Sequence, residues 1–338
     1  MSISKTIIPQ SVLSSYSIGS IKKIEPISVG LTHDTFVITS SQGKYIIQKL
    51  HSVLASQAVA KDFLAVTCFL EEKEFAAPEC VLSKEGGVLV KEGKYRWRMQ
   101  TKLPGVTLEV IKGRRMAREA GEIYARFHKV LNDFDYKFKS KKILHETEKV
   151  YQKFLAVTAK CDGGEVQGEI EFLKREMPKY FLPSNLPLRV IHGDPKVSNI
   201  LFSRDGKAKA IIDLDTCNRR PLLVELGDAF RSWCGNTEDD PENIFCLRMF
   251  QSAWGGYKKG ADGFMTPREQ EMVPRAIGTI TLELACRFMT DYFEDDYFGW
   301  DSSRYKTRKE HNLARVRGQI KEFKSYRQKL PRIREMVG

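Results

Sequence analysis

A change of hydrophobic period at Pro104-Gly105 constrains this chain more than any other feature. Before it, β-branched and aromatic runs at Ile24 to Val29, Thr35 to Thr39 and Lys44 to Leu50 are split by Gly30 and by a Ser40-Ser41-Gln42-Gly43 turn. Three shorter runs follow at Val81-Leu82, Gly87 to Lys91 and Tyr95 to Thr101, with turns at Gly86-Gly87 and Gly93. Runs of this kind between glycine turns predict strands, and Ser56 to Glu74 predicts one helix among them. After residue 104 the spacing predicts helices over Arg115 to Leu131, Glu146 to Val157, Glu165 to Tyr180, Pro241 to Tyr257, Pro267 to Phe293 and His311 to Gln328. The β-like interruption there is a pair of short runs, Ile200 to Phe202 and Ala210 to Leu214. The expectation is an α+β, bilobal chain: a small β-rich lobe over 1–103 and a larger helical lobe over 104–338.

At 338 residues with 42% hydrophobic and 29% charged positions, each lobe can bury a core. No apolar run approaches the ~18 residues of a membrane span. Met1-Ser2-Ile3-Ser4-Lys5 lacks the layout of a secretory signal, so a cytoplasmic protein without membrane contact is expected. The seven cysteines form no Cys-x-x-Cys pair, which argues against zinc or a disulfide framework. A net charge of +12 raises nucleic-acid binding, yet the basic residues are dispersed and the densest group, Lys137 to Lys142, is short. With no zinc-finger spacing and no RNP-type strand, no nucleic-acid partner is expected; the charge suits steering of small anions.

The two short runs carry the chemistry. His192-Gly193-Asp194 lies five residues ahead of Asn199, and the apolar run Ala210-Ile211-Ile212 ends in Asp213. In phosphoryl transfer one carboxylate takes the acceptor's hydroxyl proton, while an asparagine and a later aspartate hold Mg²⁺ on the triphosphate. Asp194 is the candidate base, and Asn199 and Asp213 the candidate metal ligands. Asp215 points the same way if the strand continues, which makes it a further candidate ligand, and Lys196 is placed to neutralise charge on the transferring group. Taken separately, the two segments are no more than a turn and a strand end; their joint spacing favours a small-molecule kinase using ATP and Mg²⁺, with a protein-kinase-like bilobal fold.

These residues resemble the aminoglycoside phosphotransferase and choline kinase superfamily. Within it, several segments are similar to the N-acetylhexosamine 1-kinase family: Gly30 to Phe36, Gly43 to Leu50, Ile212 to Thr216, Gly227 to Arg231, Leu282 to Phe293 and His311 to Gln319. They span nearly the whole chain. The resemblance implies an ATP-dependent kinase acting on the anomeric hydroxyl of GlcNAc or GalNAc. It puts Thr32 and His33 in the loop over the phosphates, Asp34 near the sugar, and Gln100 and Lys102 in the hinge that meets adenine. The superfamily pattern places Gln48 at the phosphate-pairing lysine of the third strand, with Lys49 facing the other way; which of the two meets the phosphates stays open. Glu225 stands where the superfamily tends to carry an aspartate, and it is long enough to brace the catalytic loop. Pro195 and Ser198 depart from the commonest sugar-kinase form of that loop.

Further candidates have competing readings. Asp228 is a sugar-hydroxyl partner or a cap. Glu283, Arg287 and Asp291 recur at four-residue spacing, as an ion-pair ladder or a sugar-facing stripe. Arg315 and Arg317 diverge on a helix, so one of them, Arg315, is the substrate candidate. His128 reads as a packed helix-end residue, and His51 and His145 carry no signal. The acidic cluster Glu294-Asp295-Asp296 keeps a cationic acceptor such as an aminoglycoside or choline in play, homoserine remains an alternative acceptor, and a catalytically silent nucleotide-binding protein is the competing class.

Overall fold

The computed structural model describes residues 7–27, 33–52, 54–141 and 144–338. A short helix α1 (Gln10–Ser14) precedes the strands β1 (Ile21–Ile27), β2 (Asp34–Ser40) and β3 (Lys44–Lys49). Helix α2 (Gln57–Glu72) follows, then β4 (Cys80–Val81), β5 (Val90–Glu92) and β6 (Tyr95–Thr101). These strands make one antiparallel sheet in the order β1-β2-β3-β6-β4, with β5 beside β6. Phe36 and Ile38 of β2, Ile47 of β3 and Trp97 and Met99 of β6 share one core with Val12, Leu13 and Tyr16 at α1. Register pairs Gln48 of β3 with Arg98 of β6.

The second core begins on α2, at Phe63, Val66 and Leu70, and continues through the rest of the chain. It is built from α3 (Arg114–Leu131), α4 (Thr147–Thr158), α5 (Gln167–Glu176), β7 (Leu188–Ile191), β8 (Ile200–Phe202), β9 (Ala208–Ile211), β10 (Asn218–Pro221), α6 (Leu222–Cys234), α7 (Leu247–Ala261), α8 (Pro267–Glu294) and α9 (Arg308–Val337). β7 pairs with β10 and β8 with β9, both antiparallel. The expected α+β plan, a β-sheet lobe and a helical lobe, is the observed one.

Several elements differ from their sequence expectation. Helix α6 was not expected from the sequence; its polar residues Glu225, Asp228 and Arg231 recur at helical spacing but are buried with the rest of the helix rather than turned to solvent. Strands β7 and β10 are four residues each and escaped for want of length. The helix expected from Pro241 starts only at Leu247, since Asn243 turns inward and donates through Nδ2 to Glu322. Helix α9 runs on through Pro331 to Val337.

Helices α3 and α7 touch backbone to backbone. A Cβ on Gly121 would stand 2.0 Å from the carbonyl oxygen of Ala253, and one on Gly256 2.0 Å from that of Arg118. This contact sets α3 against the helices behind the catalytic loop. Gly121→Val is expected to cost about 1–3 kcal/mol through forced separation of the pair, read as a lower midpoint in urea denaturation with an unchanged slope.

Candidate active site

The catalytic loop leaves β7 at His192 and returns to β8 through a tight turn over Val197–Asn199. Glu225, 1% exposed on the first turn of α6, fixes its start. One oxygen accepts from the His192 backbone N–H at 2.9 Å and the other from Gly193 at 2.8 Å. His128 of α3 meets the same carboxylate at 3.0 Å and Tyr257 of α7 at 2.8 Å. Glu225 thus braces the loop, and His128 is the packed helix-end residue that links the brace to two helices. Gly193 has φ 87°, and a Cβ there would lie 2.6 Å from the Thr216 carbonyl oxygen, so glycine alone suits the position. Trp233 donates to the Pro195 carbonyl at 2.7 Å and holds the loop's far side to α6.

On this frame Asp194 receives two donors on one oxygen. Lys196 Nζ stands 2.6 Å and Asn199 Nδ2 3.2 Å from Oδ2; among the described residues none donates to Oδ1. Burial opposes a charge on Lys196, but Asp194 and Asp213 outweigh it and hold the ammonium protonated well above its ordinary range. Asn199 also donates to the Asp194 carbonyl at 2.8 Å, which orients its amide nitrogen inward and leaves its oxygen as a ligand. Asp213 follows β9 with φ 65° and ψ 55°, a left-handed turn that ends the strand. Burial and then Asp215 push its carboxyl up, and Lys196 pulls it down. A carboxylate and an amide oxygen suit a hard cation that takes its other ligands from phosphate and water. Among the described residues there is no cluster of three His, Cys, Asp or Glu for a protein-only metal site.

Asp215, expected as a further metal ligand, is engaged by Arg98. The left-handed Asp213 breaks the strand alternation, and a short turn over Leu214–Thr216 carries Asp215 toward the sheet. There its Oδ2 takes Arg98 Nη2 at 2.9 Å, Arg98 Nη1 bonds its Oδ1, and His33 Nε2 lies 3.6 Å away. His33 Nδ1 accepts from the His51 backbone at 3.0 Å, so the proton sits on the nitrogen facing Asp215. Arg98 had not been singled out in the sequence. Thr32 lies outside the described residues. Lys49 is turned from Arg98, with its ammonium 3.0 Å from Asp34 and 4.2 Å above the Tyr95 ring. Gln100 is buried in the sheet, and the Lys102 backbone N–H is spent on the Lys44 carbonyl at 2.9 Å.

Beyond the loop, α6 carries a buried polar network. Asp228 Oδ1 accepts from Arg231 Nη2 at 2.7 Å, and Arg231 reaches Glu238 at 2.9 Å. His145, which carried no sequence signal, lies 2.9 Å from Glu283 and 3.6 Å from Asp228. The stripe Glu283, Arg287, Asp291 divides by function: Asp291 accepts three backbone N–H groups from 296–298, and Arg287 stacks on Phe298 at 5.4 Å. Arg315 is taken by Asp239 at 2.7 Å and the Gly299 carbonyl at 2.8 Å, so it pins the segment after α8. The seven cysteines are free, and no described helix is long and apolar enough to cross a membrane.

Residues 23–259 match the model of the APH phosphotransferase enzyme family. The chain belongs to this family. Curated relatives are the homoserine kinases of Neisseria meningitidis, 23% identical over 73% of this chain and 77% of theirs, and of Methylocella silvestris, 22% identical over 83% and 84%. Among solved structures, a microcompartment-associated aminopropanol kinase superposes with a TM-score of 0.65 at 14% identity, covering 97% of this chain and 98% of that one. An amicoumacin kinase in complex with AMP-PNP, Ca²⁺ and Ami gives 0.62 at 13%, covering 91% and 94%. The chain is a phosphotransferase with the kinase-like fold of these neighbours. The family stands at the level of the superfamily expected from the catalytic loop; the relatives are homoserine kinases rather than N-acetylhexosamine 1-kinases.

Replacing Glu225 with Ala strands two buried N–H groups and is expected to cost about 2–5 kcal/mol, measured by urea denaturation, together with loss of phosphotransfer in whatever remains folded. A pH effect follows from His145 and Glu322. Burial opposes a charge on His145, but Glu283 and Asp228 lift its imidazole to about 10 from 6.5, while burial lifts the Glu322 carboxyl to about 8 from 4.5 against Arg231. The native state then holds a proton that the unfolded chain releases, between pH 4.5 and 8 at Glu322 and between 6.5 and 10 at His145. Stability therefore falls as pH rises through both windows. Thermal melts are expected to decline from pH 7 toward pH 10, and His145→Gln to flatten that slope.

Proposed function

We propose that this phosphotransferase transfers the γ-phosphoryl group of ATP, held with Mg²⁺, to the anomeric hydroxyl of an N-acetylhexosamine, giving the sugar 1-phosphate. The observation that carries the chemistry is the Asp194 carboxylate, whose Oδ2 is saturated by Lys196 and Asn199 while Oδ1 is left for an acceptor hydroxyl. The hydroxyl proton passes to Oδ1, the hydroxyl oxygen bonds to the γ-phosphorus, and the bond to the β-phosphate oxygen breaks to release ADP. Asn199 Oδ1 and Asp213 would hold the cation, which when bound offsets charge on the triphosphate. Lys196, held protonated, orients Asp194 and faces the charge that develops beside it.

The acceptor reading rests on the segments shared with the N-acetylhexosamine 1-kinases and on charge balance. Asp228 is matched by Arg231, Glu294 by Lys153 at 2.6 Å, and Asp295 by Arg308 at 3.5 Å. A choline or aminoglycoside cation gains little from carboxylates already paired. Homoserine is the second reading, favoured by the curated relatives.

The test is ADP release from ATP and Mg²⁺ with GlcNAc, GalNAc, homoserine, choline and kanamycin, with Asp194→Asn beside the wild type. Turnover confined to the N-acetylhexosamines and reduced roughly 10²–10⁴-fold in the variant is expected. Turnover on homoserine alone would keep the chemistry and overturn the sugar.

A further inference from the structure

Strand β3 presents a neutral amide, Gln48, toward the interior, and its lysine, Lys49, is held by Asp34 and Tyr95. In protein kinases a β3 lysine, braced by a glutamate of the following helix, stands beside the donor phosphates. Helix α2 supplies no such acid to the site. Its buried carboxylate, Asp62, is spent on the Tyr136 hydroxyl and on the backbone N–H groups of Lys139 and Ser140, at 2.7 to 2.9 Å. What α2 turns toward the site is Phe63, whose ring lies 3.8 Å from the guanidinium carbon of Arg98.

The missing positive charge is on the neighbouring strand. Arg98 sits opposite Gln48 in the β3–β6 register and is 2% exposed. Its Nη2 donates to Gln48 Oε1 at 2.8 Å and to Asp215 Oδ2 at 2.9 Å, and its Nη1 donates to Asp215 Oδ1. The guanidinium therefore reaches the end of the side chain at 48, the place a lysine there would fill. Its Nε is enclosed yet has no acceptor among the described residues, an unused donor that a buried cation does not ordinarily leave. Asp215 stands two residues after Asp213, and Asp213 is among the charges that keep Arg98 cationic despite its burial.

We propose that Arg98 replaces the β3 lysine as the cation beside the donor's phosphates, with Asp215 as its counter-ion in place of the helix glutamate and Gln48 as the amide that orients it. This rests on ATP as the donor. A planar guanidinium can hold a carboxylate through two N–H groups and still offer a further N–H to an anion, which a lysine ammonium cannot do in the same fixed geometry. The same ion pair ties β6 in the sheet lobe to the turn that follows the metal-binding aspartate, so donor binding and the placing of Asp213 share one contact.

The experiment compares calorimetric affinities for ADP with Mg²⁺ and for adenosine in the wild type, in Arg98→Gln and in the double variant Arg98→Met with Gln48→Lys. The wild type is expected to prefer ADP over adenosine. Arg98→Gln is expected to lose about tenfold or more of that preference with adenosine affinity unchanged, and the double variant, with the cation returned to β3, to regain part of it. A preference kept in Arg98→Gln overturns the proposal. So does a fall of ADP and adenosine affinity in step, which is what a merely structural arginine would give. A wild type that binds neither, while still transferring phosphoryl groups from another donor, overturns the ATP reading itself and with it this assignment.

Discussion

A carboxylate buried away from water must be met by donors, and Glu225 is met by the parts of the protein that the catalytic loop has to be held against. Its two oxygens take the first two amides of the loop, and His128 and Tyr257 extend the chain of hydrogen bonds into α3 and α7. Those two helices approach without side chains between them, at Gly121 and Gly256. The distance from helix packing to catalytic geometry is therefore short: a change in the spacing of α3 and α7 moves His128, and through Glu225 the backbone that carries Asp194.

Pairing decides which acidic groups stay available for chemistry. Asp215 is closed off by Arg98, and Asp228 by Arg231 with His145 near its other oxygen. Burial alone would raise both carboxyls, but the facing cations hold them well below the ordinary aspartate range. What remains is Asp213, whose carboxyl burial pushes up, and the one open oxygen of Asp194. In the proposed reaction Asn199 and Asp213 are the hard ligand pair and that oxygen of Asp194 the proton acceptor.

The site was legible in the sequence where its residues are neighbours in the chain. Asp194, Lys196 and Asn199 lie on a single loop, so their spacing carries their geometry, and the change from strand-like to helical runs carried the α+β plan. Contacts between distant segments were not legible. Arg98 and Asp215 are 117 residues apart, and nothing in either stretch marks the other. His145 meets Glu283 across 138 residues and sits in a segment without periodicity. The engagement of Asp215 by Arg98 was not legible for a local reason: alternation along a strand predicts that residues 213 and 215 face together, and the left-handed turn at Asp213 cancels that rule. Helix α6 carries its polar stripe, Glu225, Asp228 and Arg231, on a buried face that serves the loop and the network beyond it.

In the proposed mechanism Asn199 and Asp213 would hold a divalent cation only when a nucleotide supplies the remaining oxygens. Electron paramagnetic resonance of Mn²⁺, titrated with and without a non-hydrolysable ATP analogue, tests this directly in the wild type and in Asp213→Asn. Tight Mn²⁺ binding is expected only with the analogue, weakened by about tenfold or more in the variant. Equal Mn²⁺ binding without nucleotide, or binding indifferent to Asp213→Asn, would contradict it.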